Sequence, residues 1–233
     1  MPRYQDICCY NTTCARMIDY ICMGSCSWTV PANVTYATFE IWGGGGGGGG
    51  HCCCNCFHGG AGGASGGYAR TSVTVTPGDT YTICVGGGGM QCIGGACGYH
   101  WCCYGNPGCT TYVTGTNLSN FCATGGDGGT NDCFAYCGCM TGPGRGYGGC
   151  VIQCGTAGIA GGTSAVPCMQ FWGTGGSPAY TSSTRFFVNE QCTGCHIAAY
   201  GIFPGGGGAT VSNNCCCCSQ GGVGANGMVR IYY

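Results

Sequence analysis

The stretch Phe39-Glu-Ile-Trp-Gly-Gly-Gly-Gly-Gly-Gly-Gly-Gly50 places two kinds of backbone end to end. Phe39 and Ile41 alternate with Thr38, Glu40 and Trp42, the period-two mark of a half-buried strand. The strand then runs without a break into Gly43 to Gly50, where no side chain exists to define a face.

Elsewhere the glycines carry a rhythm of their own. Gly60, Gly63 and Gly66, then Gly155, Gly158 and Gly161, then Gly221, Gly224 and Gly227 fall at every third position. Three residues per turn is the polyproline-II period, whose backbone groups point outward without internal hydrogen bonds. Such helices pack side by side and bond to one another only where the facing positions lack side chains. The triplets are too short-lived and proline too scarce for a collagen triple helix.

Outside the glycines, the clearest pattern is Tyr68-Ala-Arg-Thr-Ser-Val-Thr-Val-Thr-Pro-Gly-Asp-Thr-Tyr-Thr-Ile-Cys-Val85. It predicts a β-hairpin in which Val73 and Val75 face Tyr81, Ile83 and Val85 across Pro77-Gly78-Asp79. Residues 185–189 and 196–203 are weaker strand candidates, and Met228-Val-Arg-Ile-Tyr-Tyr233 reads as a closing strand. The fold class is therefore mainly β, a small antiparallel framework with packed polyglycine-II-like segments and few or no helices. Residues 1–26, poorer in glycine, read as a docking segment, and residues 27–233 as one glycine-rich, cysteine-rich β domain.

Composition narrows the function. The 233 residues include 53 Gly and 28 Cys, Leu118 is the only leucine, and lysine is absent, which excludes a leucine-rich core and coiled coils. Six arginines stand singly against 7 acidic residues, so the basic footprint that nucleic acid demands is missing. No apolar run is long enough to span a membrane. So many thiols point to disulfides formed in an oxidising setting, yet Met1 to Ser25 lacks the basic start and apolar stretch of an export signal. A particle subunit made in the cytoplasm and oxidised after lysis reconciles the two, with sulfur links as the counterweight to the entropy of ordering glycine. Cys52, Cys53, Cys54 and Cys56, with Cys215, Cys216, Cys217 and Cys218, are the disulfide candidates. On a three-fold helix adjacent cysteines point about 120° apart and reach different neighbours.

Thr29-Val-Pro-Ala-Asn-Val-Thr, Phe39-Glu-Ile-Trp with its oligoglycine, Gly66-Gly-Tyr-Ala-Arg, the 73–89 block and Gly224-Ala-Asn-Gly-Met-Val-Arg-Ile-Tyr-Tyr follow one another along the chain. In that order the chain resembles the glycine-rich domain of bacteriophage tail fibres and related virion proteins, over residues 27–233. Its cysteine-rich style also resembles virion proteins of marine cyanobacterial phages. The resemblance implies a non-enzymatic structural protein of the virion surface, a fibre or appendage with a structural or host-recognising role. On this reading residues 1–26 dock to other virion proteins, a host-surface glycan or protein is the external partner, and the subunit is a homo-oligomer.

Exposed aromatics would make the host contact. Tyr99, Trp101, Tyr104, Phe171, Trp172 and Tyr180 supply rigid amphipathic area at low entropy cost, or else fill gaps between glycine helices where aliphatics are missing. Two further classes compete. Cys192-Thr-Gly-Cys195-His196 matches a haem-attachment pattern, and His51-Cys-Cys-Cys-Asn-Cys-Phe-His58, with Cys137 and Cys139 or Cys215 to Cys218, has the soft ligands of a zinc or iron–sulfur site. They define a metal- or haem-carrying redox protein, while a self-assembling extracellular filament is the other alternative. No catalytic motif appears, and no cofactor is expected.

Overall fold

Alternation along Tyr36-Ala-Thr-Phe-Glu-Ile-Trp42 turns Ala37, Phe39 and Ile41 inward, and the same rule on other strands builds the core. The computed structural model describes residues 16–50, 60–91, 104–130, 141–159, 174–180, 196–210 and 219–233. In chain order its strands are β1 (Met17–Tyr20), β2 (Gly24–Thr29), β3 (Tyr36–Trp42), β4 (Tyr68–Thr74), β5 (Thr80–Val85), β6 (Thr111–Gly115), β7 (Leu118–Ala123), β8 (Gly146–Tyr147), β9 (Val151–Gln153), β10 (His196–Ile197), β11 (Ser219–Gln220) and β12 (Met228–Tyr232). Two five-stranded antiparallel sheets form, ordered β1-β12-β3-β4-β9 and β2-β5-β6-β7-β8, and β10 pairs with β11 in parallel. No helix occurs among the described residues.

The sheets face each other across an aromatic core. Phe39 and Ile41 of β3 with Val229 and Ile231 of β12 meet Trp28, Tyr81, Ile83, Val113 and Phe121 from the opposite sheet. Trp28 stands edge-on to Phe39 with ring centroids 5.7 Å apart, and Phe39 lies 5.3 Å from Tyr81. Each such large apolar side chain contributes about 1.5–3 kcal/mol by leaving water, which offsets the shortage of leucine.

From one end of this sandwich the strands continue as extended glycine rods. β3 runs into residues 43–49, β5 into 86–90 and β7 into 124–130, while the returning rods 60–67, 104–109 and 220–227 lead into β4, β6 and β12. Every amide of Gly43 to Gly49 donates to another rod. Gly43, Gly46 and Gly49 donate to Gly67, Ala64 and Ala61; Gly44 and Gly47 to Cys109 and Asn106; Gly45 and Gly48 to Ala225 and Gly222. Its carbonyls accept from three more rods, Gly45 from Gly89, Gly44 and Gly47 from Gly126 and Gly129, and Gly46 from Gly208. The 43–49 rod is thus enclosed by six described rods, and the period of three seen in its donors is the polyglycine-II repeat expected from the sequence.

Glycine content follows enclosure. A Cβ on Gly43 through Gly48 would fall on a neighbouring carbonyl, so the central rod tolerates no side chain on any face. On the 104–109 rod, which has a solvent face, glycine occupies the inward face alone. Gly105 and Gly108 point at Gly47 and Gly44, while Tyr104, Asn106 and Pro107 face solvent. Gly221, Gly224 and Gly227 likewise face Gly48, Gly45 and Trp42. Of the triplet that begins at Gly155, Gly155 and Gly158 face Ser65 and Gly62, and Gly161 lies outside the described residues. Short hydroxyls complete the pattern at the far end, where buried Thr210 donates to the Gly49 carbonyl at 2.6 Å.

One expectation is corrected. β4 and β5 do not form a hairpin: β4 pairs with β3 and β9, and β5 pairs with β2 and β6 in the other sheet. The turn explains this. Pro77 and Gly78 occupy its centre, Gly78 has φ 89°, and the Asp79 amide donates to the Thr76 carbonyl at 3.0 Å, a type II turn. Type II twist does not match that of paired strands, so the chain arches from one sheet to the other. Val30 accepts from the Gly78 amide and donates to the Asp79 carbonyl, which ties the arch to the end of β2.

The boundary drawn after Cys26 falls inside β2, and residues 17–20 form an edge strand on β12, so residues 16–26 belong to the sandwich. Residues 185–189 lie outside the described residues, and within 196–203 only His196 and Ile197 pair as a strand. Cys22, Cys26, Cys84, Cys109, Cys122, Cys150 and Cys154 are free thiols, and no disulfide joins described residues. Among the described residues the rods are joined to one another by backbone hydrogen bonds. The eight disulfide candidates at 52–56 and 215–218 lie outside the described residues.

Candidate functional site

Because Phe39 and Ile41 point into the core, Glu40 and Trp42 must point out, and strand register extends each into a row across the sheet. The row through Glu40 reads Asp19, Arg230, Glu40, Arg70, four charges of alternating sign on β1, β12, β3 and β4. The row through Trp42 reads Met228, Trp42, Tyr68, Gln153. Opposite charges on neighbouring strands favour this register.

The carboxylate is held from two sides. The Tyr68 hydroxyl donates to Glu40 Oε1 and the Tyr232 hydroxyl to Oε2, both at 3.0 Å. Arg70 Nε lies 3.7 Å from Oε1, a loose ion pair whose guanidinium side chain is 51 % exposed against 12 % for Glu40. Arg230 is committed elsewhere, donating from Nε and Nη2 to the two Asp19 oxygens at 2.7 and 2.8 Å. Burial, then the Glu40 charge and hydrogen bond, raises the Tyr68 phenol above its ordinary range. Burial and the same carboxylate raise Tyr232. Both phenols therefore remain donors to Glu40.

Residues 177–180 lie over the aromatic row. The Trp42 indole N–H donates to the Ala179 carbonyl at 3.2 Å, and Tyr180 stands edge-on to Tyr68 with centroids 4.9 Å apart. Tyr180 has φ 60°, uncommon for a bulky residue, and its hydroxyl accepts from Gln153 Nε2 at 2.8 Å. With Phe203, Pro204 and Val151 these groups enclose a cleft of about 560 Å³, within the size range of small-ligand sites.

Of the aromatic residues expected to make an external contact, Tyr180 lines this cleft and is 67 % exposed. Tyr104 is exposed on the 104–109 rod and is not part of the lining. Tyr99, Trp101, Phe171 and Trp172 lie outside the described residues, as do Cys192 and Cys195 and the 51–58 cluster. No group of metal-ligating side chains assembles among the described residues. Sequence reasoning missed Glu40, Tyr68, Arg70 and Arg230. Their signal was the outward member of each alternating pair, but only register places those members side by side.

The model of the glycine-rich domain family matches residues 21–233, nearly the whole chain. The protein belongs to the glycine-rich domain family. Within the matched residues, the first, middle and last blocks quoted from the sequence are β3, β4–β5 and β12, and glycines between them line the enclosed faces of the rods. No curated protein matches the chain. No helix long and apolar enough to cross a membrane occurs among the described residues of this glycine-rich protein.

Proposed function

We propose that this glycine-rich protein is a non-enzymatic subunit of a bacteriophage particle surface, a fibre or appendage component that also recognises the host. The observation that carries this reading is the enclosure of Gly43–Gly49 by six rods, each bonded backbone to backbone. Such a lattice has no interior volume for substrates and suits a stiff support. The cleft lining contains one carboxylate, Glu40, which fits binding better than hydrolysis by paired carboxylates.

The rods also favour display at one pole. Gly49 meets Ala61, Ala61 meets Thr130, Gly62 meets Ile159, Ile159 meets Thr174, Asn106 meets Met90 and Thr210 meets Gly49. The sequences that join these rods, which carry Tyr99, Trp101, Phe171, Trp172 and most of the cysteines, therefore start and finish at the end remote from the sandwich. Docking to neighbouring virion proteins falls to the residues before β1.

The test is proteomics and immunogold microscopy of purified particles carrying either the full chain or a chain lacking residues 1–15. The reading expects the full chain on the particle exterior and the shortened, still folded chain in the soluble fraction. A full chain absent from particles overturns the particle assignment, and unchanged incorporation of the shortened chain overturns the docking assignment.

A further inference from the structure

We infer that the cleft on the outer face of the β1-β12-β3-β4-β9 sheet binds one neutral pyranose unit of a glycan. This deepens the host-recognition part of the proposed function and rests on it for biological setting, though not for its chemistry.

Charge selects the ligand. Arg230 is neutralised by Asp19 and Arg70 is paired, loosely, with Glu40. A cation entering the cleft would meet two guanidinium groups, and an anion would meet the Glu40 carboxylate. A neutral ligand leaves both pairs intact and avoids an uncompensated partly buried charge. The remaining polar capacity is mixed. Each oxygen of Glu40 has further lone pairs beyond the phenols that hold it, and the half-exposed Arg70 fork has donors to spare. Vicinal hydroxyls on a sugar ring match this pair, one donating to Glu40 and its neighbour accepting from Arg70.

Apolar contact comes from two exposed rings, Tyr180 and Phe203, the latter 45 % exposed. They offer flat surface for the C–H face of a pyranose, and Tyr68, itself packed on Trp42, backs the Tyr180 ring. The site is set in advance. Two phenols fix the carboxylate, and Tyr180 is kept in a left-handed conformation by its contact with Tyr68 and its bond from Gln153. Unfavourable backbone maintained by its surroundings is characteristic of ligand sites.

Titration calorimetry and saturation-transfer NMR on the full chain test this, with methyl glycosides of glucose, galactose, mannose and N-acetylglucosamine as neutral probes, choline as the cation and sialic acid as the anion. Saturable binding of at least one neutral glycoside is expected, weakened about tenfold or more by Tyr180→Ala and by Glu40→Gln. Thermal midpoints of both variants are measured beside the titrations, which are run at a temperature where each is fully folded, so a loss of binding is not unfolding. The inference is overturned if no neutral glycoside binds, if choline or sialic acid binds more tightly than all of them, or if Tyr180→Ala binds as wild type. Its failure alongside normal particle incorporation leaves the structural role standing, and the converse result separates the two in the other direction.

Discussion

Asp19 and Arg230, at opposite ends of the chain, form a two-pronged ion pair at 2.7 and 2.8 Å between the edge strand β1 and its neighbour β12. Each side chain is 30 % exposed, so solvent screens the pair. Asp19→Ala is expected to cost about 1 kcal/mol, seen as a lower urea midpoint. Hydrogen exchange should quicken at Ile18 and Tyr20 and not in β3. Uniform quickening across both sheets would show that β1 is not an independently opening edge.

The central rod makes a sharper prediction. A methyl group on Gly46 meets the Asp127 carbonyl, whereas one on Gly87 meets side chains alone, the flexible Met23 at 3.3 Å, itself 70 % exposed, and Asn226 Oδ1 at 4.0 Å. Gly46→Ala should destabilise by about 1–3 kcal/mol or more. Gly87→Ala should be neutral or stabilise by about 0.4–1 kcal/mol, because it narrows the unfolded ensemble. Thermal midpoints that fall equally in both variants would sink the account of why glycine is there.

Hydrogen exchange provides a second measure of the lattice. The amides of Gly43 to Gly49 are all bonded and buried, so they should exchange only through global opening, with the slowest amides of β3. Exchange on the timescale of exposed turns would mean that the rods open independently of the sandwich.

Alkaline stability follows from the phenols around Glu40. Tyr68 and Tyr232 have folded-state pKa values above the ordinary 10.0, burial being the main cause and Glu40 the next. Above about pH 10 the unfolded chain releases these protons while the native state retains them, so stability is complete below that pH and declines above it. Urea midpoints should fall from pH 10 upward, with phenolate absorbance appearing on unfolding. Tyr68→Phe should flatten the decline. A midpoint that rises with alkalinity would reverse the sign and refute the assignment.

The turn at Pro77-Gly78 can be tested alone. Gly78 has open space around it but φ 89°, so Gly78→Ala should cost about 1 kcal/mol through backbone strain and not through a clash. Gly78→Asn, which tolerates that conformation, should recover part of the loss in the same denaturation assay.

Much of this architecture was legible in the sequence. Phe39 and Ile41 announced β3, Ile231 announced β12, and the triplets at Gly60 and Gly221 announced packed rods. The β6–β7 hairpin was overlooked although apolar Val113 precedes, and Leu118 and Phe121 follow, Asn117, whose φ of 63° lies in the turn. Partner choice was the harder part. Nothing local to Val73 or Ile83 states that their strands belong to different sheets, since that outcome depends on turn twist and on competition from β3 and β6. The cleft was hidden for the same reason. Glu40 and Arg230 are 190 positions apart, and they become neighbours only when β12 inserts between β1 and β3.

The return of successive rods at one pole has an evolutionary consequence. Since the lattice is defined by main-chain bonds and absent side chains, the stretches spliced between Gly50 and Gly60, or between Thr210 and Ser219, can be lengthened, exchanged or recombined without retuning the body that carries them. Divergence can accumulate in those joining stretches while selection on the rods acts on little more than where a methyl group is forbidden.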